Sequence, residues 1–407
     1  MPTKAARADT GDPYPLEQLH ETFRMHPEAG DEARWQKLSR ACIGLDVMPG
    51  YDSSFAGDIA RGLRTNAYAA FVWQAASDAL PDERSTIGAG RLNLRVDALL
   101  FRHEGEGMGR VTAQVHVNGV WPDLSDSMQA STGAITDLDE LASRHPSTLS
   151  RLAYTQTFFD DRLMLSIGKI GPNDFVMSNL FANNEASQFL AQAFDGNSVW
   201  PVCFQNHTVG AGIVSLPADW CFLNGFLVDA AGTESPWLGD AFGDGFAVSA
   251  EAGLIGELEG LPVRLSFAWC GTDATADTVS DRDSGDGLWG NAYGSIAQIL
   301  IQPKFALWAQ WSASNRSVAS DAASEVAIGT TIDDCFGRAG DGFGAAIAWS
   351  TPTDETLDDQ ILLECYYRLQ VAKGVQISLD GQVLMPSATA ALNDPTVIGS
   401  VRAMWEF

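Results

Sequence analysis

A chain of 407 residues with a net charge of −27 is no nucleic-acid binder, because a polyanionic partner would meet repulsion over most of its surface. Charged residues are only 19% of it, against about 25% in ordinary soluble chains, and 39 glycines accompany a 45% hydrophobic content; that balance suits a wall with lipid on one side and water on the other. No run approaches the ~18 apolar residues of a membrane-spanning helix, so a crossing has to be made by strands that pair their backbone groups with one another.

In chain order, Ala6-Arg7-Ala8 before Asp9 reads as an A-x-A cleavage site without its apolar stretch, the mark of an exported chain. Residues 13–41 are polar and helix-compatible, as in Pro15-Leu16-Glu17-Gln18-Leu19 and Asp31-Glu32-Ala33-Arg34-Trp35. They are expected to form, with the first residues, an N-terminal segment (1–41) that leads in from the periplasm or acts as a plug. A strand domain is expected over 42–407. Within it, Leu92 to Ala98 and Val111 to Asn118 alternate apolar with polar residues. Leu163, Leu165 and Ile167 share one face of the next strand. Phe246 to Leu254, Val263 to Trp269, Phe343 to Trp349, Cys365 to Val371 and Val375 to Val383 follow. Trp220 to Asp229 is apolar on both faces, and its outward side cannot be assigned from pattern. In the last strand Val397, Gly399, Val401, Ala403, Trp405 and Phe407 lie on one face, and Ser400, Arg402, Met404 and Glu406 on the other.

Every mid-strand charge falls on the polar face. A lipid-facing charge near the bilayer midplane costs ~2–4 kcal/mol, so a barrel must sort its charges in this way. The polar faces are rich in Gln, Ser, Thr and Asn rather than Lys and Glu, the profile of a water-filled lumen and not of a sandwich face in solvent. His116 lies on such a face. Acidic stretches such as Asp273 to Asp286 and Asp354 to Asp359 fall in loops; acidic loops and an acidic lumen would favour cations.

The connection Ile170 to Asn206 exceeds ordinary loop length and holds Phe175, Phe181, Phe189, Phe194 and Trp200, with a helix-compatible piece over 183–194. So many aromatics predict a packed loop folded into the barrel, where it narrows the lumen. The aromatics would either offer faces along which a sugar slides or form the loop's own small core. The six cysteines match no zinc spacing, and a Cys203–Cys221 bridge is one conceivable pairing. Asp281 to Gly287 hints at a calcium loop but places Gly285 where a ligand is required. No G-x-S-x-G or other catalytic motif is present, and no cofactor is called for.

The block Tyr154 to Lys169, with Phe158-Phe159-Asp160-Asp161-Arg162-Leu163 leading to Gly168-Lys169, resembles the carbohydrate-selective porin family, OprB-type. Gly210-Ala211-Gly212, Ala218-Asp219-Trp220, Asp244-Gly245-Phe246 and the pair Glu364 to Leu369 and Val375 to Gln382 follow the family's order, although Leu379 stands where the family often has Pro. The resemblance implies an all-β fold, a closed antiparallel transmembrane barrel of about sixteen strands in the bacterial outer membrane. It also implies diffusion of sugars and similar small hydrophilic solutes, with no chemical reaction. On that reading the partners are the solute, outer-membrane lipid and the barrel-assembly machinery acting through the last strand, with a homotrimer as an open option. The expected pore residues are Lys169, Asn173, Asp174, Asn183, Asn184 and Glu185 on the loop side. On the wall they are Arg95, Asp97, Arg264, Glu364, Arg368, Asp380 and Arg402, each with the alternative role of a salt-bridge ladder. Two other classes stay open at this stage: an outer-membrane barrel hydrolase and a secreted soluble β-sandwich that binds carbohydrate.

Overall fold

The computed structural model describes residues 63–407 except 104–106, 144, 160, 161, 197, 201–206, 231–237, 239–241, 243, 244, 274–288, 303, 304, 319 and 387–394. The N-terminal segment expected over 1–41, the stretch 42–62, Cys203 and the calcium-like loop therefore lie outside the described residues. Sixteen strands follow in order: β1 (Leu63–Ala76), β2 (Thr86–His103), β3 (Gly107–Trp121), β4 (Ser147–Phe158), β5 (Leu163–Ile170), β6 (Thr208–Ala218), β7 (Cys221–Asp229), β8 (Phe246–Leu258), β9 (Leu261–Thr272), β10 (Gly290–Gln302), β11 (Phe305–Ser314), β12 (Ala322–Asp333), β13 (Gly342–Pro352), β14 (Gln360–Ala372), β15 (Val375–Met385) and β16 (Thr396–Glu406). Each pairs antiparallel with its neighbours, and β1 pairs with β16, so the sheet closes on itself. Closure removes both edges, which is what allows a sheet to stand in lipid. The soluble-sandwich alternative fails here, since one closed sheet replaces two packed ones.

The period-2 pattern in the sequence becomes an inside and an outside. Along β16, Thr396, Ile398, Ser400, Arg402 and Met404 are buried, while Val397, Gly399, Val401, Ala403 and Trp405 are exposed. Exposed Trp73, Trp121, Trp289, Trp311 and Trp349 ring one end of the wall, and Phe159, Trp220, Trp405 and Phe407 the other, with leucine, isoleucine and valine between. Such aromatic girdles mark the two membrane interfaces. Connections at the second end are short; the β8–β9 turn is Glu259-Gly260 alone, both residues at positive φ (52° and 81°), as a two-residue turn requires. Short turns mark the periplasmic side, and the long connections lie at the opposite mouth. The block from Phe158 to Lys169 starts at one of these periplasmic turns, where the Arg162 N–H donates to the Phe159 carbonyl at 3.2 Å and its guanidinium pairs with Asp219 of the next turn, and continues as β5.

Two long connections fold inward, 122–146 between β3 and β4 and 171–207 between β5 and β6. The first carries the short helix α1 (Met128–Thr132), capped by the Ser127 hydroxyl and ended by Gly133 at φ 66°. Its Met128, Leu138 and Leu141 are buried, as are Phe175, Phe181, Phe189, Phe194 and Trp200 of the second. This packing resolves the ambiguous strand: in β7, Phe222, Phe226 and Val228 are buried and Leu223 and Leu227 exposed, so the inner face is apolar because protein covers it. The same packing needs small residues on the wall. At Gly344 a Cβ would stand 2.9 Å from the Phe189 ring.

Candidate functional site

The long loop is held by wall side chains that bind its backbone. Glu364 accepts the N–H groups of Leu190 at 2.6 Å and Ala191 at 3.0 Å, and the Gln382 amide donates to it at 3.1 Å. Arg402 donates to the carbonyls of Glu185 at 2.7 Å and Gln188 at 2.6 Å. Arg264 donates to the Ser178 carbonyl at 2.7 Å, pairs with Glu251 at 3.3 Å and lies 5.0 Å from the Phe222 ring centroid. Arg368 reaches the Ser187 carbonyl at 3.4 Å and pairs with Asp333 at 3.3 Å. Asp380 is buried beside Glu364 on the adjoining strand. Four of the wall residues expected to line a pore or form a salt-bridge ladder thus hold the loop's backbone, a role neither expectation contained.

Those anchors also explain why 183–194 is not a helix. A helix needs its own backbone groups for i to i−4 bonds, and here Glu364 takes two N–H groups while Arg402 takes two carbonyls. The Asn184 side chain accepts from the Ala186 N–H at 3.1 Å, a local bond that competes with helix. Isolated turns remain, such as Gln188 N–H to the Asn184 carbonyl at 2.7 Å. The aromatics settle in the same way. Phe189 packs 5.3 Å from Phe194, 5.9 Å from Trp308 and 5.0 Å from Tyr366, ring centre to ring centre. All five loop aromatics are at most 4% exposed, so they are core and offer no sliding face.

Beyond β16 and β1 in the barrel order, β2–β4 present charge. Arg91 pairs with Glu185 and donates to the Asn118 side chain at 3.2 Å and the Glu140 carbonyl at 2.7 Å. Arg95 makes two bonds to Asp97, at 2.7 and 3.0 Å; Asp97 also accepts from Thr112 at 2.6 Å and lies 3.8 Å from Arg110. Arg151 pairs with Asp174. Gln114 bridges Asn93 at 2.8 Å and His116 at 3.0 Å, and His116 meets His207 edge-on at 5.6 Å. His207 is pushed down to about 3 by burial and then by Arg151, so it is neutral across ordinary pH. Facing this wall, half-buried Asp137, Glu140, Glu185 and Asp195 come together from the two loops. Burial first, then Asp137 and Glu185, push Glu140 well above the usual carboxylate range; burial, then Glu185 and Glu140, do the same to Asp195.

Of the expected loop residues, Asp174 and Glu185 meet the arginine wall, and Asn173, Asn183 and Asn184 are partly exposed turn residues. Lys169 is elsewhere: it pairs in register with outward Leu152, is 1% exposed, and has Asp229 as its charge partner. Sequence reasoning missed Arg91, Arg110, Arg151, Asp137, Glu140 and Asp195. Arg91 could have been found, since it shares the face of Asn93, Arg95 and Asp97. The inward course of 122–146 had only its length and its apolar spacing as a signal. Cys221 is a free thiol. Among the described residues no group of three His, Cys, Asp or Glu side chains is placed to hold a metal ion.

Comparison with known proteins agrees with this architecture. No curated protein matches the sequence. Among solved structures, Pseudomonas putida OprB at high pH is similar with a TM-score of 0.69 and 13% identity, over 87% of this chain and 96% of that one. A triply substituted Rhodopseudomonas blastica porin is similar with a TM-score of 0.52 and 13% identity, over 85% of this chain and all of the other. These likenesses establish the fold. The profile of the carbohydrate-selective porin family, OprB, matches residues 123–407, well over half of the sequence. That family is one of non-enzymatic channels, which removes the hydrolase alternative. With its closed sixteen-strand barrel, girdled wall and inward loops, the chain belongs to the carbohydrate-selective porin family, OprB, and is a porin of the bacterial outer membrane.

Proposed function

We infer that this porin passes sugars and similar small hydrophilic solutes by diffusion along the strip of lumen between β2–β4 and the two inward loops. One observation carries the reading. The long loop is fastened to β9, β14 and β16 through Arg264, Glu364, Arg368 and Arg402, while polar side chains on β2–β4 and on the loops beside them keep partial solvent access. Arg91, Arg95, Asp97, Asp174, Glu185, Asn183 and Asn184 supply donors and acceptors for hydroxyl groups. Weak contact at several such sites lets a solute both enter and leave. The N-terminal segment 1–41 precedes the barrel domain 42–407 as a periplasmic lead-in; β16, with Phe407 after it, is the segment read by the assembly machinery; export precedes insertion, and three barrels associate in the membrane. The test is swelling of liposomes that hold the purified chain, in isosmotic glucose and larger sugars. Glucose-driven swelling with a size cut-off is the expected result; vesicles that stay as tight as protein-free ones would refute it.

A further inference from the structure

Seven inward arginines among the described side chains are not equivalent. Arg264, Arg368 and Arg402 spend their donors on loop carbonyls, and their side chains are 0–5% exposed. Arg95 and Arg151 touch no loop carbonyl, and their side chains keep 11% and 10% exposure. They also stand in one row: Arg95 is paired in register with Gln114, and Gln114 with Arg151. Neighbouring strands are about 4.8 Å apart, so the two guanidinium groups rise from backbones about 10 Å apart across a neutral amide. Arg110 flanks the row toward the periplasm and Arg91 toward the outer mouth. Four guanidinium groups on three consecutive strands thus run along the lumen axis. Asp97, Asp174 and Glu185 pair with these guanidinium groups, and Asp137, Glu140 and Asp195 face them from the two loops. The Arg151 Nε has no hydrogen-bond partner, as is also true of the Nε atoms of Arg264, Arg368 and Arg402, so the difference lies in exposure and in what faces each group.

We propose that the Arg95–Gln114–Arg151 row is a subsite for the carboxylate of acidic monosaccharides, so that the porin favours sugar acids over neutral sugars of the same size. The proposal rests on the porin reading above and adds the solute class. A guanidinium binds a carboxylate through two parallel N–H bonds, which gives orientation as well as attraction. The Gln114 amide between the arginines, with Asn93 beside it, serves ring hydroxyls, and Asp174 and Glu185 accept from hydroxyls on the far side of the solute. Because Asp97 and Asp174 already offset part of the charge, the bound anion is held weakly enough to leave, as conduction requires.

The experiment compares potassium glucuronate with glucose, two solutes of nearly equal size, in liposomes at pH 7, with valinomycin present to relieve the charge carried in. Glucuronate is expected to enter about fivefold faster at low salt, a ratio equivalent to ~1 kcal/mol. The ratio should fall toward one in 0.5 M potassium chloride, in Arg151→Gln and in Arg95→Gln, while Arg151→Lys retains a larger share. Heat-modifiable migration on gels shows which variants are folded barrels. Glucose entry without a glucuronate advantage overturns the subsite and leaves the porin standing; entry of neither solute overturns both. An advantage that survives in folded Arg151→Gln and Arg95→Gln barrels also overturns the subsite.

Discussion

At the scale of single residues, the same chemistry does two kinds of work. Arg402 and Arg95 are both inward arginines on strands, yet Arg402 ends on two loop carbonyls and Arg95 on a neighbouring carboxylate. The difference lies in what faces them, and no neighbour in the sequence specifies that. Arg402→Ala removes the donors from two carbonyls inside the barrel. Each unsatisfied group costs about 1–3 kcal/mol, a loss borne by the loop because β16 keeps its ladder to β1 and β15. Single-channel recordings of the variant should show a larger and noisier conductance than wild type. A trace of unchanged size and quietness means that Arg402 does not hold the loop. The arginine itself was legible as an inward charge; its partner was not, since Glu185 and Gln188 are more than 200 residues away.

At the scale of elements, the connection 122–146 is the less conspicuous of the two inward loops and the more sensitive to pH. Asp139 is 2% exposed, and burial followed by Asp137 pushes its carboxyl up to about 7. A carboxyl whose folded value lies above its unfolded one, ~3.9, stabilises the docked loop in its neutral form. That contribution is complete below about pH 4 and is lost as pH rises through about 7. Glu140 and Asp195 act in the same direction. Limited proteolysis within 122–146 should therefore be slower at pH 5 than at pH 8, and Asp139→Asn should narrow the difference, with Glu140 and Asp195 carrying what is left. Equal cleavage at both values would show that the loop stays docked when Asp139 ionises. Strands that alternate clearly, such as β2, β3, β15 and β16, were readable from the sequence because each face meets one environment; β7 was not. The course of the loops was not, because Glu364 and Arg402 override the local preference of 183–194 for helix.

At the scale of the molecule, the barrel is defined by what surrounds it. Val401 is half exposed on the outer face, in register with Trp73 of β1 and Leu379 of β15. Val401→Arg places a charge in the apolar band at a cost of about 2–4 kcal/mol if near the midplane. It should lower the yield of heat-modifiable barrel in lipid and move the urea midpoint down, whereas Arg402 one residue later is tolerated because it points inward. A Val401→Arg barrel as stable as wild type would mean that this face is not in lipid.

The sequence by itself determined the faces of the alternating strands, the closing strand and the existence of one packed inward loop, since these follow from local alternation, loop length and composition, whereas the faces of β7 did not. Only the tertiary structure decided which inward charges anchor loops and which keep solvent access. It also showed that the loop aromatics are core and that 122–146 folds in beside them. The physical reason is that closing sixteen strands brings residues distant in sequence across one narrow lumen. There a guanidinium takes whichever acceptor lies opposite, and no periodicity along the chain records that choice.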